Sequence, residues 1–75
     1  MRWTDTPIGS ALHDEAGQLL AKVRPLGAGG ASAQWLNGMK WDVSDQLKQV
    51  HAPQSSRWFA TVPAAKRAIE EALAA

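Results

Sequence analysis

The last quarter of the chain contains a stripe of apolar residues that a helix would place on one face. These residues recur at steps of three and four, with charged residues between them. The stripe consists of Val62, Ala65, Ile69 and Ala72 or Leu73. The spacing predicts one amphipathic C-terminal α-helix over about 61–73, with Thr61 or Val62 as its N-cap.

Short segments of alternating apolar and polar residues precede this helix, and turn-forming residues separate them. Alternation of this kind is typical of half-buried β-strands. The expected strands are 8–13, 18–24, 31–36, 39–43 and a last short piece at 57–60, after a polar lead-in at 3–7. We therefore expect an α+β fold, with a three- to four-stranded antiparallel β-meander packed on one C-terminal α-helix.

Asn37-Gly38 lies between two apolar segments, and this dipeptide is a strong signal for a tight β-hairpin. It predicts that 39–43 returns beside 31–36. The alternative is one strand over 31–41 with a bulge at Gly38. Residues 44–50 are ambiguous, since Ser44 could cap a single helical turn, and 51–56 is expected to be a loop.

Size and composition limit the classes of protein to consider. Seventy-five residues predict a single domain, and the absence of cysteine excludes both disulfides and thiolate metal sites. Eight basic and seven acidic residues leave a net charge of +1, which by itself indicates neither nucleic acid nor membrane. No apolar run approaches a membrane span and the first residues lack a signal peptide's apolar centre, so we expect a cytoplasmic protein without a membrane partner.

Four tryptophans and one phenylalanine exceed what one helix on one small sheet should need for a core. Each tryptophan is either a core residue or part of a binding surface on the sheet face opposite the helix. The candidate interaction surface consists of Trp35, Trp41 and Trp58 with Lys22, Arg24 and Lys40. Its expected use is binding a protein partner or self-association, and the alternative is weak binding of nucleic acid by aromatic and basic side chains.

Basic residues early in the predicted helix suggest a second candidate site. Lys66 and Arg67 precede Glu70 and Glu71, which is the order that the helix dipole disfavours. With Arg57 nearby, Lys66 and Arg67 would form an anion site at the helix start. The alternative is an ordinary solvated, charged helix face.

No catalytic or metal-binding arrangement stands out. His13-Asp14-Glu15 and His51 lack the spacing of known metal motifs, and the serines have no nucleophile motif around them. The glycine-rich stretch at 27–30 lacks the Gly-Lys-Ser/Thr of a phosphate loop. We expect no enzymatic activity, no cofactor, no metal and no small-molecule substrate.

Three segments resemble short uncharacterised proteins encoded by bacteriophages and prophages: GQLLAKVRP at 17–25, WLNG at 35–38, and 60–73. The resemblance implies a small antiparallel sheet closed by an alanine-rich C-terminal helix, and an accessory protein without a settled activity. A more distant likeness, at the level of the fold, is to the arm-site-binding domain of phage-type integrases, which reads DNA with its sheet.

Overall fold

A computed structural model describes residues 1–43 and 54–75. Within these residues, five antiparallel strands form one sheet and a helix follows them. The elements are β1 (Arg2–Thr6), β2 (Gly9–His13), β3 (Leu19–Pro25), β4 (Ala31–Trp35), β5 (Ser56–Phe59) and α1 (Val62–Ala74). Strand order in the sheet follows chain order, so the sheet is a meander. The α+β fold is confirmed, with five strands in place of three or four.

The additional strand, β1, lies in the segment that we expected to be a polar lead-in. Its register places Trp3 opposite Leu12 of β2. The turn that joins the two strands is closed by Thr6, whose hydroxyl accepts a hydrogen bond from the backbone N–H of Ile8 at 3.3 Å. Because Trp3 is the only large apolar side chain in β1, the alternation was too weak to indicate a strand.

The predicted Asn37-Gly38 hairpin is wrong. Asn37 does form a local turn, in which its side-chain oxygen accepts a hydrogen bond from the N–H of Met39 at 3.0 Å. However, β4 ends at Trp35, and its second neighbour in the sheet is β5. Side-chain bonding within the turn therefore does not bring the following residues back along β4.

Residues 39–43 form no strand, and the alternative single strand over 31–41 is wrong as well. Within 39–43 the pairing is limited to an isolated bridge between Trp41 and Gln54. The predicted helical turn at 44–50 and the first part of the predicted loop at 51–56 lie outside the described residues. Ser56, at the end of that predicted loop, begins β5.

Helix α1 begins with the predicted cap. Thr61 has extended backbone angles, and its hydroxyl accepts a hydrogen bond from the N–H of Ala64 at 3.2 Å. Pro63 lies in the first turn, where a helix needs no N–H donor. Ala65 and Ile69 are fully buried, and α1 packs over β3, β4 and β5. Within the described residues, α1 thus covers one face of the sheet and no element packs on the other.

Candidate functional site

The register of the strands defines the sheet face that points away from α1. Residues directly opposite one another on paired strands share a face. One row crosses all five strands and consists of Thr4, Ala11, Lys22, Gln34 and Ser56. A second row crosses β3, β4 and β5 and consists of Arg24, Ser32 and Trp58. Because Ala21 and Val23 alternate with Lys22 and Arg24 and are buried under the helix, both rows face away from it. We call this side of the sheet the open face.

The open face carries basic residues and, within the described part of the chain, no acidic ones. Lys22 and Arg24 are exposed on the central strand β3. Arg2 lies on the same face at the outer strand, opposite His13. The described acidic residues lie on the helix side, in α1 or in connecting segments: Asp5, Asp14, Glu15, Asp42, Glu70 and Glu71. The net charge of +1 therefore hides a local concentration of positive charge.

Small and polar side chains leave a shallow groove across the open face. Its volume is about 270 Å³, and Lys22 and Arg24 lie along it. Gly9 also lines the groove, and a Cβ there would collide with the carbonyl oxygen of Val23. Ser32, Gln34 and Ser56 add hydroxyl and amide groups that can donate and accept hydrogen bonds. The groove thus offers two cations and several polar groups over a nearly flat surface.

Trp58 is the large aromatic side chain of the open face. It lies on β5 opposite Ser32 and remains 51% exposed. In the same cross-strand row, Arg24 follows Ser32 on the next strand. Neighbouring strands are about 4.8 Å apart, so the backbones of Trp58 and Arg24 are separated by roughly 10 Å. An aromatic surface and a cation therefore lie within the reach of one extended ligand.

Three residues of the predicted interaction surface, Lys22, Arg24 and Trp58, lie together on the open face. The other tryptophans do not, since Trp35 and Trp41 are 3% and 7% exposed and belong to the core under the helix. Placing them on a binding surface was wrong. Lys40 is exposed but follows β4 and belongs to no strand.

Trp35 and Trp41 are held in the core by each other and by their surroundings. Their ring centroids are 5.0 Å apart, and the Trp41 ring meets Phe59 edge-on at 5.6 Å. The Trp41 indole N–H donates a hydrogen bond to the carbonyl oxygen of Ala33 at 3.0 Å. Two of the tryptophans that suggested an extensive binding surface therefore serve in the core.

The structure does not bring the predicted anion site together. The guanidinium of Arg57 lies 5.3 Å from the centroid of Phe59, on the edge strand β5. The ammonium of Lys66 lies 5.2 Å from the centroid of Trp3, which belongs to the opposite edge strand β1. Four strand spacings of about 4.8 Å separate those edges, so Arg57 and Lys66 do not converge on one anion. Arg67 is exposed on the helix.

Trp3 gives a physical reason for the unusual order of charges in α1. Its indole N–H donates a hydrogen bond to a carboxylate oxygen of Glu70 at 3.3 Å, while Lys66 lies over its ring. Lys66 and Glu70 are four residues apart and therefore lie on the same side of the helix. Both charges contact the tryptophan that projects from β1, and a cation–π contact of about 0.5–1 kcal/mol is of the same order as the free energy lost against the helix dipole.

Sequence reasoning missed the polar residues of the open face. Ser32 and Gln34 lie beside Arg24 and Lys22 through the pairing of β3 with β4, and Ser56 joins them through the pairing of β4 with β5. The signal that could have found Ser32 and Gln34 was their alternation with Ala33 and Trp35. For Ser56 no local signal existed, because it was assigned to a loop.

Other binding chemistry finds little support in the described residues. They contain no cluster of three or more His, Asp or Glu side chains arranged to hold a metal ion. His51 lies outside them. In the same part of the chain, α1 is too short and too polar to cross a membrane.

Comparison with known proteins identified no relative of this chain. No protein-family model, curated protein or solved structure matches the chain.

Proposed function

We propose that this protein is a non-enzymatic binding module that acts through its open face, and that the ligand is a single-stranded nucleic acid. The observation that carries the proposal is the row Arg24, Ser32 and Trp58 beside Lys22, on a face without acidic residues among those described. Surfaces that bind single strands combine cations for the phosphates with an aromatic ring for a base. Both components are present within roughly 10 Å of each other.

A flat sheet suits a single strand better than a duplex. Base stacking requires an unpaired base, whose ring face is accessible only when the strand is open. Among the residues that the structure describes, the open face has no projecting helix or ribbon that would enter a major groove. Serine, threonine and glutamine around the cations can bond to phosphate and sugar oxygens without selecting a sequence. We therefore expect binding with little sequence preference.

The test is the salt dependence of binding to a fluorescent ten-nucleotide oligo-dT, measured by anisotropy between 20 and 200 mM salt. Two or three neutralised phosphates predict a slope of log affinity against log salt of about −1.4 to −2. Arg24→Gln should reduce the slope by about 0.7, because it removes one phosphate contact. Arg67→Gln removes the same charge from the helix and should leave the slope unchanged. Absence of binding at 20 mM salt, or equal effects of the two variants, would overturn the proposal.

A protein partner is the second candidate, and the 51% exposure of Trp58 favours it. The variant Trp58→Leu distinguishes a protein partner from a nucleic acid, since leucine keeps an apolar contact but offers no flat ring for a base. Loss of oligo-dT affinity in this variant supports the nucleic acid. The protein partner would be favoured if the wild type self-associates but does not bind oligo-dT, and if the Trp58→Leu variant self-associates as well. The expected phage or prophage origin stays a prediction alongside both.

A further inference from the structure

The indole of Trp58 lies against a glycine, Gly30, at the end of the β3–β4 connection. A Cβ atom built on Gly30 would collide with Nε1 and Cε2 of the Trp58 ring, and with the carbonyl oxygen of Phe59. Gly30 also has a positive φ of 84°. It precedes Ala31, which pairs with Phe59, so it lies diagonally beside Trp58 on the open face. The ring therefore occupies space that only glycine leaves vacant.

This contact explains how an edge residue can be half exposed and still have a defined position. The backbone of Gly30 packs against one side of the indole, while 51% of the side chain remains accessible. Binding then costs less conformational entropy than it would with a mobile ring.

We infer that Gly30 is a positioning residue, which holds Trp58 as a platform on which one unpaired base of the ligand stacks. The inference rests on the proposed function and deepens it. Trp58 makes the stacking contact with the base. Gly30, which has no side chain, leaves the space that the Trp58 ring occupies. The phosphate contacts of Lys22 and Arg24 are separate from this pair, so loss of the platform should lower affinity without changing its salt slope.

The competing explanation is that Gly30 serves only the backbone turn. The chain contains a matched control, because Gly29 has a similar φ of 99° and a Cβ there would meet nothing within 4 Å. Gly29→Ala and Gly30→Ala both force alanine into the left-handed region, but Gly30→Ala adds collisions with the Trp58 ring and with the carbonyl oxygen of Phe59. Only Gly30→Ala places a methyl group against Trp58.

The first readout needs no ligand. In Gly30→Ala, the Trp58 indole N–H signal should shift in the NMR spectrum, and quenching of tryptophan fluorescence by acrylamide should increase. Gly29→Ala should show neither change. Equal spectra for the two variants would overturn the inference, whatever the protein binds.

The second readout is affinity for the ten-nucleotide oligo-dT. Stacking of one base on an aromatic ring corresponds to about a 5- to 150-fold change in affinity. We expect Gly30→Ala to lose affinity in this range with an unchanged salt slope, and Gly29→Ala to bind like the wild type. Failure of the wild type to bind would overturn the proposed function, while the ligand-free spectra would still decide the role of Gly30.

A double-mutant cycle with Trp58→Ala completes the test. Once the ring is removed, Gly30→Ala should cause no further loss of affinity. If Gly30→Ala alone folds poorly, Trp58→Ala should raise its melting temperature in part, since the collision with the ring is then absent and the collision with the carbonyl oxygen of Phe59 remains. Additive losses of affinity, or a melting temperature that Trp58→Ala does not raise, would show that Gly30 acts on the backbone and not through Trp58.

Discussion

At the scale of single residues, Trp35 and Trp41 differ in how their polar atoms are satisfied. The indole N–H of Trp41 has a hydrogen bond to Ala33 inside the core. The indole N–H of Trp35 is buried as well, but within the described structure it has no hydrogen-bond partner. A buried donor without a partner costs about 1–3 kcal/mol. The two rings thus bury similar apolar area, but only the buried N–H group of Trp35 lowers the free energy of unfolding by lacking a hydrogen bond.

This difference predicts unequal effects of two matched substitutions. Trp35→Phe removes an unsatisfied donor, whereas Trp41→Phe removes a satisfied one and its bond to Ala33. Both variants lose a similar ring volume, so the volume effect largely cancels in the comparison. We expect Trp41→Phe to lower the free energy of unfolding by about 1–2 kcal/mol more than Trp35→Phe. Urea denaturation of both variants measures this, and an equal or larger loss for Trp35→Phe would contradict it.

At the scale of secondary-structure elements, α1 holds the sheet through two kinds of contact. Its apolar stripe packs over β3, β4 and β5, with Ala65 and Ile69 fully buried. Its charged side contacts β1 through Trp3, which Glu70 and Lys66 both engage. The helix thus stabilises the middle and one edge of the sheet by burial, and the other edge by polar contacts to one ring.

Burial of the stripe predicts a large cost for a charge placed within it. Ile69→Asp would put a carboxylate at a site with no solvent exposure, so it should cost several kcal/mol. A domain of this length has a total stability of roughly 4–11 kcal/mol. The control is Glu71→Asp, which places the same poor helix former at an exposed position two residues later. Circular dichroism should show an unfolded or strongly destabilised Ile69→Asp, and a normal melting curve would contradict the packing of α1.

The elements that could be predicted from sequence are those whose local pattern agrees with their burial. The stripe of α1 and the alternation of Ala21 and Val23 in β3 are of this kind. The partner of β4 could not be predicted, because Asn37-Gly38 is a local signal and β5 lies about twenty residues further along the chain. A local pattern carries no information about which distant strand completes a sheet.

The candidate site was predictable in part for the same reason. Lys22 and Arg24 alternate with buried residues, so their face follows from β3 alone. The faces of the tryptophans depend on which strands exist, since a shift of one residue moves every side chain to the opposite face. Trp41 belongs to no strand, and side-chain packing in the core decides its burial.

At the scale of the whole molecule, the sheet separates two environments. Three of the four tryptophans and the helix charges lie on one side, where Trp35 and Trp41 are core and Trp3 contacts α1. The open face carries Lys22, Arg24 and the exposed Trp58. A nearly neutral protein can therefore present a basic, aromatic surface, because its charges are sorted between the two sides.

The four indole N–H signals test this account directly. They would be followed by NMR while unlabelled ten-nucleotide oligo-dT is added at 20 mM and then at 200 mM salt, with Trp58→Leu used to assign the signal of Trp58. We predict that Trp58 shifts at low salt, that the shift shrinks at high salt, and that Trp3, Trp35 and Trp41 stay in place. Shifts at Trp3 without Trp58, or no shift of any indole at low salt, would contradict binding through the open face.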